Sequence, residues 1–244
     1  MQQGSIKSES IGAGITIFTS SQHAFGTDAI LLADFSAPKK SDIACDLGSG
    51  CGIIPFLWAR YDAPASITAL ELQEDAVALI RQSIAHNGLQ ERITALHADL
   101  REVEALHTFS LVTMNPPYFP LHSGYRNAEL SHEHARHEIT CTSEDVVSAA
   151  DKLLRYGGRL CLCQKPERLA DCICAMRAHD IEPKRLRFVC GRQGKDPYLV
   201  LLEGKKGGGK SLKVMKELWV QTADGNYSTE MIEIYKDYGD GTKQ

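Results

Sequence analysis

The 244-residue sequence predicts an α/β fold in which a mostly parallel sheet is covered by helices on both faces and carries an antiparallel hairpin at one edge. Three observations lead there. Short apolar runs of strand length recur at 43–46, 67–72, 93–98, 111–114 and 159–164. Stretches with apolar residues at helical spacing separate them. Two further runs, 186–190 and 198–202, follow one another with no helix between, which is the mark of a hairpin. With 43% apolar and 24% charged residues, the chain has the composition of a globular domain, which excludes wholesale disorder and fibrous architectures. No apolar run approaches a membrane span and the first residues lack a secretion-signal layout, so a cytoplasmic protein is expected.

Taken in order, residues 11–19 read as a small strand or hairpin, and Phe25-Gly26-Thr27-Asp28 caps an apolar helix over 29–35. The strand at 43–46 leads through a glycine-rich turn into a helix beginning near Ile53. A helix over 75–86 carries Ala76, Leu79, Ile80 and Ile84 on one face and stops at Asn87-Gly88. A second, over 143–156, opens on Thr142 or Ser143 as cap, buries Val146, Val147, Ala150, Leu153 and Leu154, and ends at Gly157-Gly158. A third covers about 168–179. The division is an N-terminal extension (1–40) packing on a core (41–204), then a basic, glycine-rich loop and tail (205–244), one domain in all. Residues 205–210 are too polar and glycine-rich to order alone. The tail at 212–234 could add a short helix and a hairpin around Asp224-Gly225-Asn226.

The glycine turn is Leu47-Gly48-Ser49-Gly50-Cys51-Gly52. Glycines between a strand and a helix let backbone approach a ligand and aim free amides at it. The G-x-G-x-G spacing of Gly48, Gly50 and Gly52 is one residue shorter than the pattern that suits a pyrophosphate, and Asp46 stands immediately before it. A carboxylate there repels a pyrophosphate but can hold an ammonium, directly or through water, so S-adenosylmethionine is favoured over a dinucleotide. Glu71, ending the next strand, can accept both hydroxyls of an adenosine ribose. Asp99, with Leu100 beside it, ends the third strand and can take a hydrogen bond from the exocyclic amine of the cofactor's adenine.

The fourth strand ends in Asn115-Pro116-Pro117-Tyr118-Phe119. Two prolines stop the ladder and leave a stiff extended element at the carboxyl edge of the sheet, where such sheets bind ligands. The Asn115 side-chain oxygen and a carbonyl fixed near Pro116 can accept both hydrogens of a planar amino group. The nitrogen lone pair is thereby drawn out of conjugation toward a methyl donor. Tyr118 can stack on the ring of the target, and positioning rather than a strong base supplies the rate. Asn115 is expected against both base and cofactor.

These motifs resemble those of class I S-adenosylmethionine-dependent amino-methyltransferases over about residues 20–203. With Phe25 to Leu32 and Ala135-Arg136-His137-Glu138, the sequence more narrowly resembles the bacterial tRNA1(Val) adenine-N6 methyltransferase family, which modifies the adenine at position 37, beside the anticodon. The resemblance implies a Rossmann-like fold with a seven-stranded sheet, cofactor contacts at Asp46, Gly48, Glu71 and Asp99, Thr27 and Asp28 over the cofactor's amino-acid end, and Asn115 and Tyr118 on the target base.

The remaining features bear on the substrate. His122, His132, His134 and His137 lie in a long loop with irregular spacing, better suited to a substrate loop than to a metal, and no metal is expected. Arg126 and Arg136 in that loop, with Phe119, are candidate RNA contacts. Eight cysteines form no C-x-x-C and read as small buried hydrophobes. The net charge of -4 hides an uneven distribution: residues 184–216 hold ten Lys and Arg against two acids, a local +8 that leaves -12 elsewhere. Lys205, Lys206 and Lys210 in this segment are candidate phosphate contacts, and tRNA is the expected partner. Glutamine-N5 methylation of a protein such as a release factor and guanine-N2 methylation of rRNA are the alternatives, and DNA adenine methylation is disfavoured because the sequence shows no separate target-recognition domain.

Overall fold

The computed structural model describes residues 5–116 and 141–236. It opens with an antiparallel hairpin, β1 (Lys7–Ser10) and β2 (Thr16–Thr19). Helix α1 (Thr27–Ser36) follows, then β3 (Ile43–Leu47), α2 (Ile53–Ala59), β4 (Ser66–Glu71), α3 (Glu74–Asn87), β5 (Ile93–His97) and β6 (Phe109–Met114). After the undescribed stretch come α4 (Ser143–Leu153), β7 (Leu154–Gln164), α5 (Leu169–Ala178), β8 (Ile181–Arg192) and β9 (Pro197–Lys206). The hairpin docks on α3, where the Ser83 hydroxyl and Asn87 carboxamide oxygens accept from the Phe18 and Thr16 amides.

In the sheet β3 lies between β4 and β6, with β5 outside β4 and β7 outside β6, all parallel. Strand β9 runs antiparallel between β7 and β8, so the expected hairpin is present and longer than its apolar runs suggest. The seven expected strands become nine. Two short pieces, β10 (Lys213–Val214) and β11 (Leu218–Gln221), pair in parallel with the outer side of β8. Of these residues only Leu218 is buried, so no hydrophobic period marks them; backbone pairing and an edge in need of cover hold them in place. Residues 205 and 206 likewise finish β9 against Arg159 and Ile181, so the glycine-rich stretch begins as ordered strand. The turn at Asp224-Gly225-Asn226 forms, closed by Thr222 N–H donating to the Asn226 carbonyl (2.8 Å), and leads to α6 (Thr229–Tyr235).

Helix α4 shows the limit of reading helix ends from glycine. It starts at Thr142 with a reciprocal capping box to Asp145, but it stops at Leu153 rather than running to Tyr156. Leu154 is fully buried and extended, and Gly157-Gly158 lie inside β7, where the register against β6 shifts.

Alternation along each strand splits the core in two. Ala44, Ile67, Leu111, Cys161 and Cys163 pack toward α1, α2 and the inner face of α3. Cys45, Leu70, Val112, Leu160 and Leu162 pack toward α4 and α5. Trp58 anchors the first layer at 1% exposure, and its indole N–H donates to the Ala33 carbonyl (3.3 Å) and the Ser36 hydroxyl (3.1 Å). Trp58→Ala is expected to lower unfolding free energy by about 3–5 kcal/mol in a denaturant titration, through cavity formation and lost hydrogen bonds. Among the described residues no helix is long and apolar enough to cross a membrane.

Candidate active site

The carboxyl ends of β3, β4, β5 and β6 converge. Beyond β3 the chain turns through Gly48, Ser49, Gly50, Cys51 and Gly52. Gly52 begins α2 with φ of 86°, and a Cβ there would meet Phe56 at 3.1 Å and Ile80 at 3.2 Å, so only glycine fits. Gly48 has φ of 62° and lies against the Met114 methyl, 3.2 Å from where a Cβ would sit, which ties the turn to the end of β6.

The three acids differ in what they hold. Asp46 is 1% exposed; Thr113 Oγ1 donates to its Oδ1 (2.6 Å) and Ser49 Oγ to its Oδ2 (2.7 Å). Burial pushes its pKa up to about 7, against the lowering effect of the two hydroxyls and with Glu71 adding a little. Each oxygen thus accepts one hydroxyl, from the turn or from β6, and keeps a further acceptor position. Glu71 is 5% exposed and accepts the Gly50 amide at Oε2 (2.8 Å) and the Leu72 and Gln73 amides at Oε1 (2.8 and 2.9 Å). A carboxylate has about four acceptor positions. One is left for a ligand hydroxyl, and a second hydroxyl would have to displace the Gly50 amide. Glu71→Ala is expected to weaken cofactor binding roughly ten- to a hundred-fold by calorimetry, the range for charge-assisted hydrogen bonds; unchanged affinity would contradict the role.

Asp99 caps the turn after β5 by accepting from Arg101 N–H (2.9 Å), and it pairs with the Arg101 guanidinium, at Nε (3.0 Å) and also at Nη2. That hydrogen bond holds its carboxyl below the usual range. Asp99, Leu100, Gly48 and Glu71 line one cleft of about 60 Å³, together with Cys141 at the start of α4. Glu71 and Asp99, at successive strand ends, thus share a cleft with Gly48 of the glycine turn, a donor set suited to an adenosine: carboxylate for ribose, an acid and backbone groups for the base.

Asn115 follows β6, half-buried, and Cys163 Sγ on β7 donates to its Oδ1 (2.9 Å). Pro116 is buried. Pro117, Tyr118, Phe119, Arg126, Arg136 and the histidines at 122–137 lie outside the described residues. At the start of α1, Thr27 accepts from the Tyr235 hydroxyl (3.4 Å). Asp28 lies close enough to Tyr198 and Tyr235 that its charge, after burial itself, raises both; Tyr198 reaches about 12. Tyr198, with Lys165 over its ring, and Thr113, Ser49 and Cys163 are site neighbours that sequence reasoning passed over as strand or loop.

The basic segment spreads over both ends of the sheet. Lys205 lies opposite Arg159, which lies opposite Leu111, four residues or roughly 13 Å of strand short of Asn115. Lys206 lies one residue further in the same direction, because β9 runs antiparallel; beyond it the chain turns at Gly207 and returns beside β8, with the Gly209 carbonyl next to Lys210 held by Lys184. Lys206 is spent on Asp151 (2.8 Å) and lies 3.2 Å from His107. Lys184 is tied to the Gly209 carbonyl, Arg185 to Glu203 and Arg187 to Glu230. Lys205 and Lys206 thus lie toward the end of the sheet opposite Asn115. Arg192 and Lys195, at the β8–β9 turn, share its end of the sheet.

A parallel sheet with one antiparallel strand slipped in beside its last parallel member, and a glycine turn followed by strand-end acids, define a class I methyltransferase, the class that takes its methyl group from S-adenosylmethionine. Residues 11–170 match the family model described as the methyltransferase small domain, and the chain belongs to that family. Among curated proteins it is 30% identical over 210 residues to the tRNA1(Val) (adenine(37)-N6)-methyltransferase of Aeromonas hydrophila, spanning 86% of this chain and 87% of that protein. The protein of the same name from Bacteroides thetaiotaomicron is 25% identical over 215 residues, 87% of this chain and 89% of its own length. Among solved structures, a predicted O-methyltransferase from Agrobacterium tumefaciens superposes with a TM-score of 0.69 at 22% identity, covering 86% and 96% of the two chains. Geranyl diphosphate C-methyltransferase from Streptomyces coelicolor, solved with S-adenosyl-L-homocysteine, gives 0.53 at 11% identity over 74% and 75%. At those identities the structures show the fold alone.

Proposed function

We propose that this protein transfers a methyl group from S-adenosylmethionine to the exocyclic N6 of adenine in tRNA, at position 37 beside the anticodon. The observation that carries the reading is the position of Asn115. Leu47 pairs with Met114, so the residue after β6 stands next to the glycine turn after β3, which supports reading its carboxamide as the amino-group acceptor beside the cofactor. The relatives in Aeromonas and Bacteroides, aligned over most of both chains, carry that activity in their names and support the choice of substrate.

The cofactor supplies an electrophilic methyl group on a sulfonium. The chain supplies position. Asn115 Oδ1 accepts from the target amino group, and a carbonyl beside Pro116 accepts the second hydrogen, so the nitrogen lone pair is freed from the ring and held in line. Glu71 and the Gly50 amide hold the adenosine end of the cofactor, with Asp99 and Leu100 bounding the adenine. Asp46 sets charge beneath the turn, while Thr27 and Asp28 stand over the amino-acid end. Tyr118 stacks on the target ring, with Pro117 and Phe119 beside it. Arg126 and Arg136, with Lys205, Lys206 and Lys210 further out, contact phosphate, and Arg192 and Lys195 are cations of the basic segment at the same end of the sheet as Asn115. The cytoplasm, where tRNA is modified, is the compartment of the reaction.

Labelled cofactor supplied in parallel with undermodified tRNA, rRNA, DNA and a release factor, followed by mass spectrometry of the product, tests the reading. Label in N6-methyladenosine of tRNA is expected. Label in glutamine or in guanine would overturn it.

A further inference from the structure

Composition accounts for Cys163 as one small buried hydrophobe among eight cysteines, and methyl transfer to an amino group requires no thiol. Its place in the sheet is nonetheless specific. Met114 pairs with Leu162, so Asn115 and Cys163 are the next residues along two neighbouring parallel strands, and Cys163 Sγ reaches Asn115 Oδ1 at 2.9 Å. We infer that Cys163 is a positioning residue for the reaction: its thiol donates to Oδ1 and fixes the Asn115 carboxamide in the orientation that offers an oxygen lone pair to the target amino group. The inference rests on the reading of Asn115 as the acceptor of that amino group.

A carboxamide has two nearly isosteric ends of opposite character. Rotated by half a turn, Asn115 would aim N–H donors at an amino group that is itself a donor, and the trap would repel its substrate. Asn115 stands where β6 ends, and Pro116 after it brings no backbone N–H; the neighbouring strand β7 places a donor against its oxygen. Cys163 can do this because it has no freedom to turn elsewhere. It is 0% exposed, lies on a strand bounded by β6 and β9, and faces Leu201 across the antiparallel ladder. A thiol is a weak donor, so it selects the oxygen while drawing little from it. A carboxamide oxygen can accept two hydrogen bonds, so a donor on β7 and a substrate amino group are compatible at one oxygen.

The test uses Cys163→Val, which keeps shape and removes the donor, Cys163→Ala, and Cys163→Ser, which keeps a donor on a shorter bond. Rates are measured on an unmodified tRNA1(Val) transcript, normalised to the fraction of protein that binds S-adenosylmethionine by calorimetry, so that folding losses do not count. The valine and alanine variants are expected to lose about tenfold in kcat, the scale of one hydrogen bond. Their KM for the transcript and their cofactor Kd should stay within about twofold, and the serine variant should recover to within about threefold of the parent. Parental kcat in the valine variant, or a serine variant as slow as valine, would overturn the inference. Asn115→Ala in the same assay separates the two claims. If that variant still turns over, the trap itself is misassigned; if it is inactive while Cys163→Val is at parental rate, only the positioning role fails.

Discussion

Asn115→Ala is expected to lower kcat for methylation of the tRNA1(Val) transcript by roughly a hundred- to a thousand-fold, the cost of removing one preorganised group from a charge-developing centre. Cofactor affinity should remain within about threefold, because the proposed cofactor residues, Glu71 and the Gly50 turn it is bonded to, belong to β4 and the loop after β3. The amino nitrogen of adenine is a poor nucleophile while its lone pair is shared with the ring. Asn115 raises its reactivity only when methyl donor and base are both present, so the loss falls on kcat rather than on binding of either partner. A single-turnover experiment with saturating cofactor measures it directly. A variant that also lost cofactor affinity a hundred-fold would instead mark Asn115 as part of the cofactor's own cradle.

The second large effect is a pH dependence of cofactor binding set by Asp46. Burial holds this carboxyl up near 7, so around neutrality it is only partly charged. In the fold the protonated form is favoured. The stability contributed by this group is therefore fully present below the ordinary carboxylate range and declines as pH rises toward 7, the reverse of a salt-bridged acid. Binding runs the other way. The ammonium of S-adenosylmethionine favours the charged carboxylate, and at pH below 7 binding must first expel the proton. Kd is thus expected to weaken by up to about tenfold for each pH unit below 7, so that affinity at pH 8 exceeds that at pH 6. Asp46→Asn should flatten this profile and leave weak binding at both pH values. It should also raise the unfolding temperature at pH 8, since the Thr113 and Ser49 hydroxyls keep a partner while the buried charge is gone. A flat profile in the parent protein would show that Asp46 does not sense the cofactor.

Much of this site was legible in the sequence because its parts lie at strand ends. Apolar runs located β3 to β7 to within a few residues, except where β7 begins early at Leu154, and the residues after them, Gly48, Glu71, Asp99 and Asn115, had to stand on one edge of a parallel sheet. What the sequence concealed is three-dimensional in a specific way. Lys205 and Lys206 are close to the site strands along the chain but lie at the far end of β9, because that strand runs against its neighbours. The absence of a helix between β8 and β9 already implies that reversal, and the reversal alone carries these lysines to the opposite edge of the sheet. The partners of Asp46 could not be found this way. That Thr113 and Ser49 would fill its oxygens depends on side-chain direction across two strands and a turn, and no pattern in the sequence encodes it. The same holds for Cys163 beside Asn115. Strands β10 and β11 were hidden for a different reason: they cover an edge through backbone pairing and bury too little to leave a periodic trace.

The central claim is that Asn115, at the mouth of the cofactor cleft, accepts the amino group of adenine 37. It is tested most directly by comparing methyl incorporation into the unmodified tRNA1(Val) transcript with incorporation into the same transcript carrying guanine at position 37. Adenine presents an exocyclic amine at the ring position where guanine presents a carbonyl, so the trap has no group to accept from. The account predicts N6-methyladenosine at position 37 in the first transcript and background incorporation in the second; equal incorporation into both would contradict it.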